Sequence, residues 1–273
     1  MIGKRKLILL LFTAFALAAP FALASLLSEE EKQDLFSQAK EYFREANEAS
    51  SVDPLAARDL YEKALRRFER LERDGGLRNG KLYYNIGNTY FRLGDLGRAV
   101  LYYRRAEHYL SNDPNLHQNL GYARSRRQDR IEEKARTKVL KTLLFWHYDL
   151  SSKTRSVVFI IFFGGFWLGA ALRIFLPRVP PRWILVLLSL VAVVFLSSLV
   201  ADGWLARHNR EGVILAHEVT ARKGDGDSYE SAFNEPLHAG TEFLMIEERT
   251  GWYQIELHDG RRCWIPQSAA GLV

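Results

Sequence analysis

Two apolar runs, Ser156 to Leu172 and Trp183 to Ala201, constrain this chain more than any other feature. Each approaches the roughly 17 to 25 residues that a helix needs to cross a bilayer. Neither carries the polar face that would seat it on a soluble core, and Trp167 and Trp183 fall where aromatic rings favour a membrane interface. The connection RIFLPRVPPR holds Arg173, Arg178 and Arg182 and no acid, and it is too short for anything but a turn between antiparallel helices. Spans are therefore expected at residues 156–176 and 183–201, joined by a cytoplasmic turn at 177–182, because basic loops stay inside. Both flanks then lie on the opposite, exported side.

The N-terminus agrees with export. Lys4, Arg5 and Lys6 precede an apolar stretch from Leu7 to Leu23, and Ala22-Leu23-Ala24 comes before an acidic run. That is the layout of a secretory signal peptide over residues 1–24; an uncleaved anchor would leave the rest of the chain on the same side. A single cysteine, Cys263, excludes an internal disulfide, so the exported parts must stand on packing. Much of the net charge of +6 is local: residues 121–141 hold eight lysines and arginines against Asp129, Glu132 and Glu133. With the aromatic juxtamembrane stretch at 137–155, this basic segment points to anionic lipid along 121–155 as readily as to a protein partner, and export disfavours nucleic acid as a partner.

Residues 82–110, LYYNIGNTYFRLGDLGRAVLYYRRAEHYL, read as a helical hairpin. A glycine inside a helix costs about 1 kcal/mol relative to alanine, so Gly87 demands a compensating close approach. Gly94-Asp95 ends the first helix, and Ala99, Tyr103 and Ala106 set small and large groups along the second. Gly87 recurs as Gly121, 34 residues on, and Ala57, Tyr61 and Ala64 repeat the second-helix pattern 42 residues before Ala99. The expected partner of that earlier helix is Glu29 to Ala49, with Ala39, Tyr42 and Phe43 inward. From Pro114, the apolar positions Leu116, Leu120, Ala123, Ile131, Ala135 and Leu140 predict a capping helix that runs on as a stalk.

This spacing resembles the tetratricopeptide repeat, with Tyr83, Ile86, Gly87, Tyr90, Gly94, Ala99, Tyr103 and Ala106 at its signature positions and Arg124 departing from it where an aromatic is expected. The resemblance implies a repeat domain with its cap over residues 25–136, packed through Tyr83, Gly87, Tyr90, Ala99, Tyr103 and Ala106. It also implies a peptide-binding groove lined by Tyr84, Asn88, Arg92, Gln118, Tyr122 and Arg126.

Residues 209–273 change character to short alternating strands, expected at Val213 to Ala221, Glu242 to Glu248, Trp252 to Leu257 and Cys263 to Pro266, with a His258-Asp259-Gly260 turn. Gly240-Thr241, Gly251-Trp252 and Asp259-Gly260 followed by Trp264 resemble a bacterial SH3-like barrel. That resemblance makes Trp252 and Trp264 a candidate face for cell-wall peptides or proteins. The expected fold class is thus a multi-domain membrane protein: all-α tetratricopeptide hairpins, a two-helix transmembrane hairpin and a small all-β SH3-like barrel.

No catalytic pattern emerges. His217-Glu218 lacks the second histidine of a zinc motif, Cys263 has no histidine and acid arranged for thiol catalysis, and nucleophile elbows and phosphate-cradling loops are absent. A non-enzyme without metal or cofactor is the expectation. In order and content the chain resembles the BatE proteins of Bacteroides aerotolerance operons, most specifically in LYYNIGNTYFRLGD and LLFWHYDLS. Membership would imply an inner-membrane scaffold working with membrane-anchored von Willebrand factor A-type Bat proteins and a MoxR-type ATPase. Peptidoglycan, held by the SH3-like module, is the alternative partner.

Overall fold

The computed structural model describes residues 27–131, 139–140, 142–175, 181–208 and 210–273. The expected signal peptide and most of the inter-span turn lie outside them, as does Ala135. The chain divides into two compact units between Arg78 and Asn79, a boundary that falls inside the region expected to form one repeat domain.

The first unit is a hairpin of α1 (Glu29–Ala49) and α2 (Pro54–Arg73). A capping box starts α1: Ser28 Oγ accepts from the Glu31 amide at 3.2 Å, and the Glu31 carboxylate accepts from the Ser28 amide at 2.7 Å. Asp53 caps α2 and Pro54 fills its first turn, where a missing N–H costs nothing. Between the helices Ala39, Ala46, Ala57, Ala64 and Phe68 are buried, while Phe43 packs edge-on against Tyr61 and Tyr42 stacks under the Arg67 guanidinium. The Tyr61 hydroxyl donates to Asn47 Oδ1 at 2.8 Å, a polar tie inside an otherwise apolar seam.

The second unit opens with α3 (Gly80–Leu93), α4 (Leu96–Glu107) and α5 (Pro114–Ser125), capped by Asn79, Asp95 and Asp113. The close approach demanded at Gly87 is real: a Cβ there would sit 2.7 Å from the Tyr103 ring. After a short turn, α6 (Phe145–Tyr148), come two long apolar helices, α7 (Ser152–Phe175) and α8 (Arg182–His208), packed on each other. Both are long and apolar enough to cross a membrane. Their large apolar side chains stay outside any protein core, as with Ile160, Leu168, Val193 and Val200.

The chain ends in a strand-rich module: β1 (Arg210–Ile214), β2 (Glu218–Val219), β3 (Leu237–His238), β4 (Glu242–Arg249), β5 (Trp252–Leu257), β6 (Arg262–Pro266) and β7 (Ala270–Leu272). Five of them form an antiparallel sheet in the order β6-β5-β4-β1-β7, and β2 pairs with β3. Ile214, Phe243, Ile255, Leu257, Cys263 and Ile265 make its core. Burial pushes the Cys263 thiol up to about 12, so it is an inert packing group.

Two expectations are corrected. The strand expected from Val213 to Ala221 breaks after Ile214, because the amides of Leu215 and Ala216 both turn to the Ala269 carbonyl. The stalk is not a continuation of the cap: α5 stops at Ser125, and Arg127 and Asp129 beyond it are spent on the strand-rich module instead. Leu140, expected on the stalk's apolar side, is exposed.

Candidate functional site

The six residues expected to line a groove separate into two groups. Tyr84 and Asn88 are half-buried and engaged within the fold. Asn88 Oδ1 accepts from the Tyr103 hydroxyl at 2.8 Å and from Asn119 Nδ2 at 2.9 Å, and Asn119 Nδ2 also lies 2.9 Å from the Tyr84 oxygen. This network ties α3, α4 and α5 together, and burial raises the Tyr103 phenol above its usual range. Asn88 is therefore a structural residue before it is a contact residue. Arg92, Gln118, Tyr122 and Arg126 are exposed, with the Tyr122 ring 5.6 Å from that of Phe91. They leave an aromatic and cationic surface on α3 and α5. Neither helix contains an aspartate or glutamate.

The residues expected to pack the repeat lie inside the helices or against each other. Tyr83, Gly87, Ala99, Tyr103 and Ala106 are buried, and Tyr90 stacks on Tyr102 at 5.6 Å.

A second polar site joins the helices to the strand-rich module. Glu242, at the start of β4, is 7% exposed and faces three arginines. Arg124 binds it with Nε at 2.9 Å and Nη2 at 2.7 Å, Arg127 Nη1 lies at 2.9 Å, and Arg104 Nε at 3.3 Å. Arg104 also pairs with Glu211 of β1. Burial by itself would raise the Glu242 carboxyl, but the paired hydrogen bonds from Arg124 and the charges of Arg104 and Arg127 outweigh it and hold the group below its usual range.

Beside this cluster, Asp129 accepts from the His238 amide and ring Nδ1, both at 2.7 Å, and from the Thr241 hydroxyl at 2.6 Å. Burial opposes its ionisation, and these donors prevail, so its carboxyl too lies low. Backbone approach completes the seam: a Cβ on Gly97 of α4 would meet the Ile214 carbonyl oxygen at 2.8 Å. Two clefts border this seam. One, of about 520 Å³, includes Arg126, Gln128, Leu215 and His217; the other, of about 560 Å³, includes Arg130, Phe233, Glu235 and Arg261.

The expected tryptophan face is not a flat platform. Trp264 is 6% exposed, under the Arg249 guanidinium at 4.8 Å, and only Trp252 keeps a half-exposed ring. Its place in β6 explains this, since Trp264 sits between Cys263 and Ile265 in a strand buried at all three positions.

The sequence held one signal for the seam that pattern reading could not convert: Arg124, out of place for a repeat helix, is the residue that binds Glu242 through two nitrogens. Among the described residues, no group of histidine, cysteine and carboxylates is arranged to hold a metal ion.

Residues 53–107 match the tetratricopeptide repeat family. The match begins at Asp53, the cap of α2, and ends at Glu107, the last residue of α4, so it covers whole elements. No curated protein matches the chain. A repeat of this kind is a protein–protein interaction module, and that coarse role is the one the match supports.

Proposed function

We propose that the chain is a non-enzymatic, membrane-anchored adaptor that holds a segment of a partner protein against α3 and α5. The observation that carries this reading is the exposed row Arg92, Gln118, Tyr122 and Arg126, beside Tyr84, Asn88 and Asn119, which are engaged with one another. The tetratricopeptide match supports a protein partner, and α7 and α8 supply the anchor.

The seam bears on topology. Arg104, Arg124 and Arg127 precede the apolar helices, and Glu211 and Glu242 come after them, yet they are in hydrogen-bond contact. A hairpin that crosses a bilayer twice satisfies this, and one crossing does not. The arginine-only turn then favours the inner membrane, with both flanks exported. The strand-rich module is read as SH3-like and acts as a buttress for the last repeat. On the resemblance to BatE proteins, the partners are von Willebrand factor A-type Bat proteins, working with a MoxR-type ATPase in an envelope-stress system.

Cross-linking pull-down of the full chain from its native membrane tests this. Recovery of von Willebrand-type membrane proteins, reduced in a Gln118→Ala/Tyr122→Ala variant, is the expected result. Equal recovery with that variant would sink the assignment to α3 and α5, and recovery of wall fragments alone would transfer the role to the strand-rich module.

A further inference from the structure

The stretch between the repeats and α7 has no part in the adaptor reading, yet five of its described residues are large, apolar and exposed. Val139 is 57% exposed, Leu143 63% and Phe145 57%, with Leu140 and Leu144 exposed as well. Positions 139, 140, 143 and 144 recur at i, i+1, i+4 and i+5, and the Leu144 amide bonds the Leu140 carbonyl at 2.9 Å, so they share one side of a helical turn. An apolar side of this kind in water needs an occupant.

His147, at the end of this stretch, fixes its place, because a buried polar cluster holds that ring at the mouth of the α7–α8 hairpin. Arg155 of α7 is 4% exposed, pairs with Asp202 of α8 and donates through Nη1 to Ser198 Oγ at 2.7 Å. Since Ser198 Oγ accepts there, its own proton points to His147 Nδ1, 2.8 Å away. Arg155 Nη1, which can only donate, also lies 3.1 Å from Nδ1, so that nitrogen carries the lone pair. His147 Nε2 then faces Asp202 Oδ1 at 3.6 Å.

The level of this cluster comes from helix length. Twenty residues separate Arg155 from Phe175 and Arg182 from Asp202, a rise of about 30 Å, which matches the hydrocarbon thickness of a bilayer. The cluster therefore sits at the headgroup level of one leaflet, where buried ionisable groups pair with each other.

We infer that the apolar side formed by Val139, Leu140, Leu143 and Leu144 lies in the bilayer surface beside the hairpin, and that the His147–Ser198–Arg155–Asp202 cluster clasps it there. The occupant is lipid, because the clasp joins this side directly to the two helices that the bilayer surrounds. This rests on α7 and α8 being spans. The attraction is apolar, with Trp146 as an interfacial ring, and differs from the charge-driven contact with anionic lipid expected from the basic residues.

The test uses the full chain with Cys263→Ala, labelled with an environment-sensitive fluorophore at Leu143→Cys and placed in phosphatidylcholine nanodiscs with spin-labelled lipids. Labels at Leu190→Cys and Ser111→Cys serve as buried-in-lipid and aqueous references. The expected result is a blue-shifted Leu143→Cys label, quenched by shallow spin labels without any anionic lipid, and returned towards the Ser111→Cys signal by His147→Ala. A label that matches Ser111→Cys from the start overturns the inference while leaving the spans intact. Immersion only after phosphatidylglycerol is added overturns its apolar basis, and indifference to His147→Ala overturns the clasp. An unquenched Leu190→Cys label would overturn the spans and this inference together.

Discussion

The hairpin α1–α2 and the hairpin α3–α4 use the same polar tie and differ in what their arginines reach. In the first, the Tyr61 hydroxyl donates to Asn47; in the second, Tyr103 donates to Asn88. Around the first, ion pairs such as Arg44–Glu41 and Arg58–Glu62 stay within a helix and in solvent. Around the second, Arg104 and Arg124 cross to acids more than 100 residues away, and the one they share, Glu242, is buried. The lesson is that a shared local motif fixes each hairpin, whereas long-range charge decides which of them carries another module.

The largest expected effect breaks that contrast at its strongest point. Glu242→Gln removes the charge that three arginines face, and breaking a buried pair costs about 3–5 kcal/mol. Glu62→Gln, in an exposed helical pair, should cost under about 0.5 kcal/mol. Denaturant unfolding of the two variants checks this, and equal small losses would mean that the seam adds nothing.

Next comes the polar tie itself. Asn88→Ala leaves the Tyr103 hydroxyl and the Asn119 amide without their shared acceptor, a loss of about 1–3 kcal/mol. Gln118→Ala, on the exposed surface of α5, should stay within about 0.5 kcal/mol while weakening partner recovery. If Asn88→Ala unfolds no more readily than Gln118→Ala, the division into structural and contact residues is wrong.

The smallest effect sharpens the comparison by pH. Glu242 and Asp129 have carboxyls held below their usual range, so their contribution is complete above the unfolded values near pH 4 and is lost as pH falls through the lower folded ones. The seam should loosen in acid, as pH falls below about 4, with amide exchange rising at Arg127–Ile131 and His238–Glu242 first. Equal acid sensitivity in α1–α2 would remove the distinction.

How much of this was legible beforehand depends on range. Gly87 announced a close neighbour, Gly94-Asp95 and Pro114 marked helix boundaries, and the apolar runs at 156–172 and 183–201 announced two long helices, which extend to 152–175 and 182–208. Asn88 looked like a groove residue because its position, three residues after Asn85 and one after Gly87, says nothing about the Tyr103 hydroxyl opposite. The stalk was expected because the spacing of Ile131 and Leu140 suits a helix, but Arg127 and Asp129 gain more from Glu242, His238 and Thr241 than from another helical turn.

By itself the sequence determined the helices, their caps, the apolar hairpin and the alternation of the strands, since each is set by neighbours within a few residues. Only the tertiary structure decided that Arg124 is an anchor, that Trp264 is core, that Asn88 is a tie and that His147 closes on Ser198. Those assignments rest on partners brought together across long loops, where burial multiplies the value of a charge or a hydrogen bond, and no local pattern records which partner will be there.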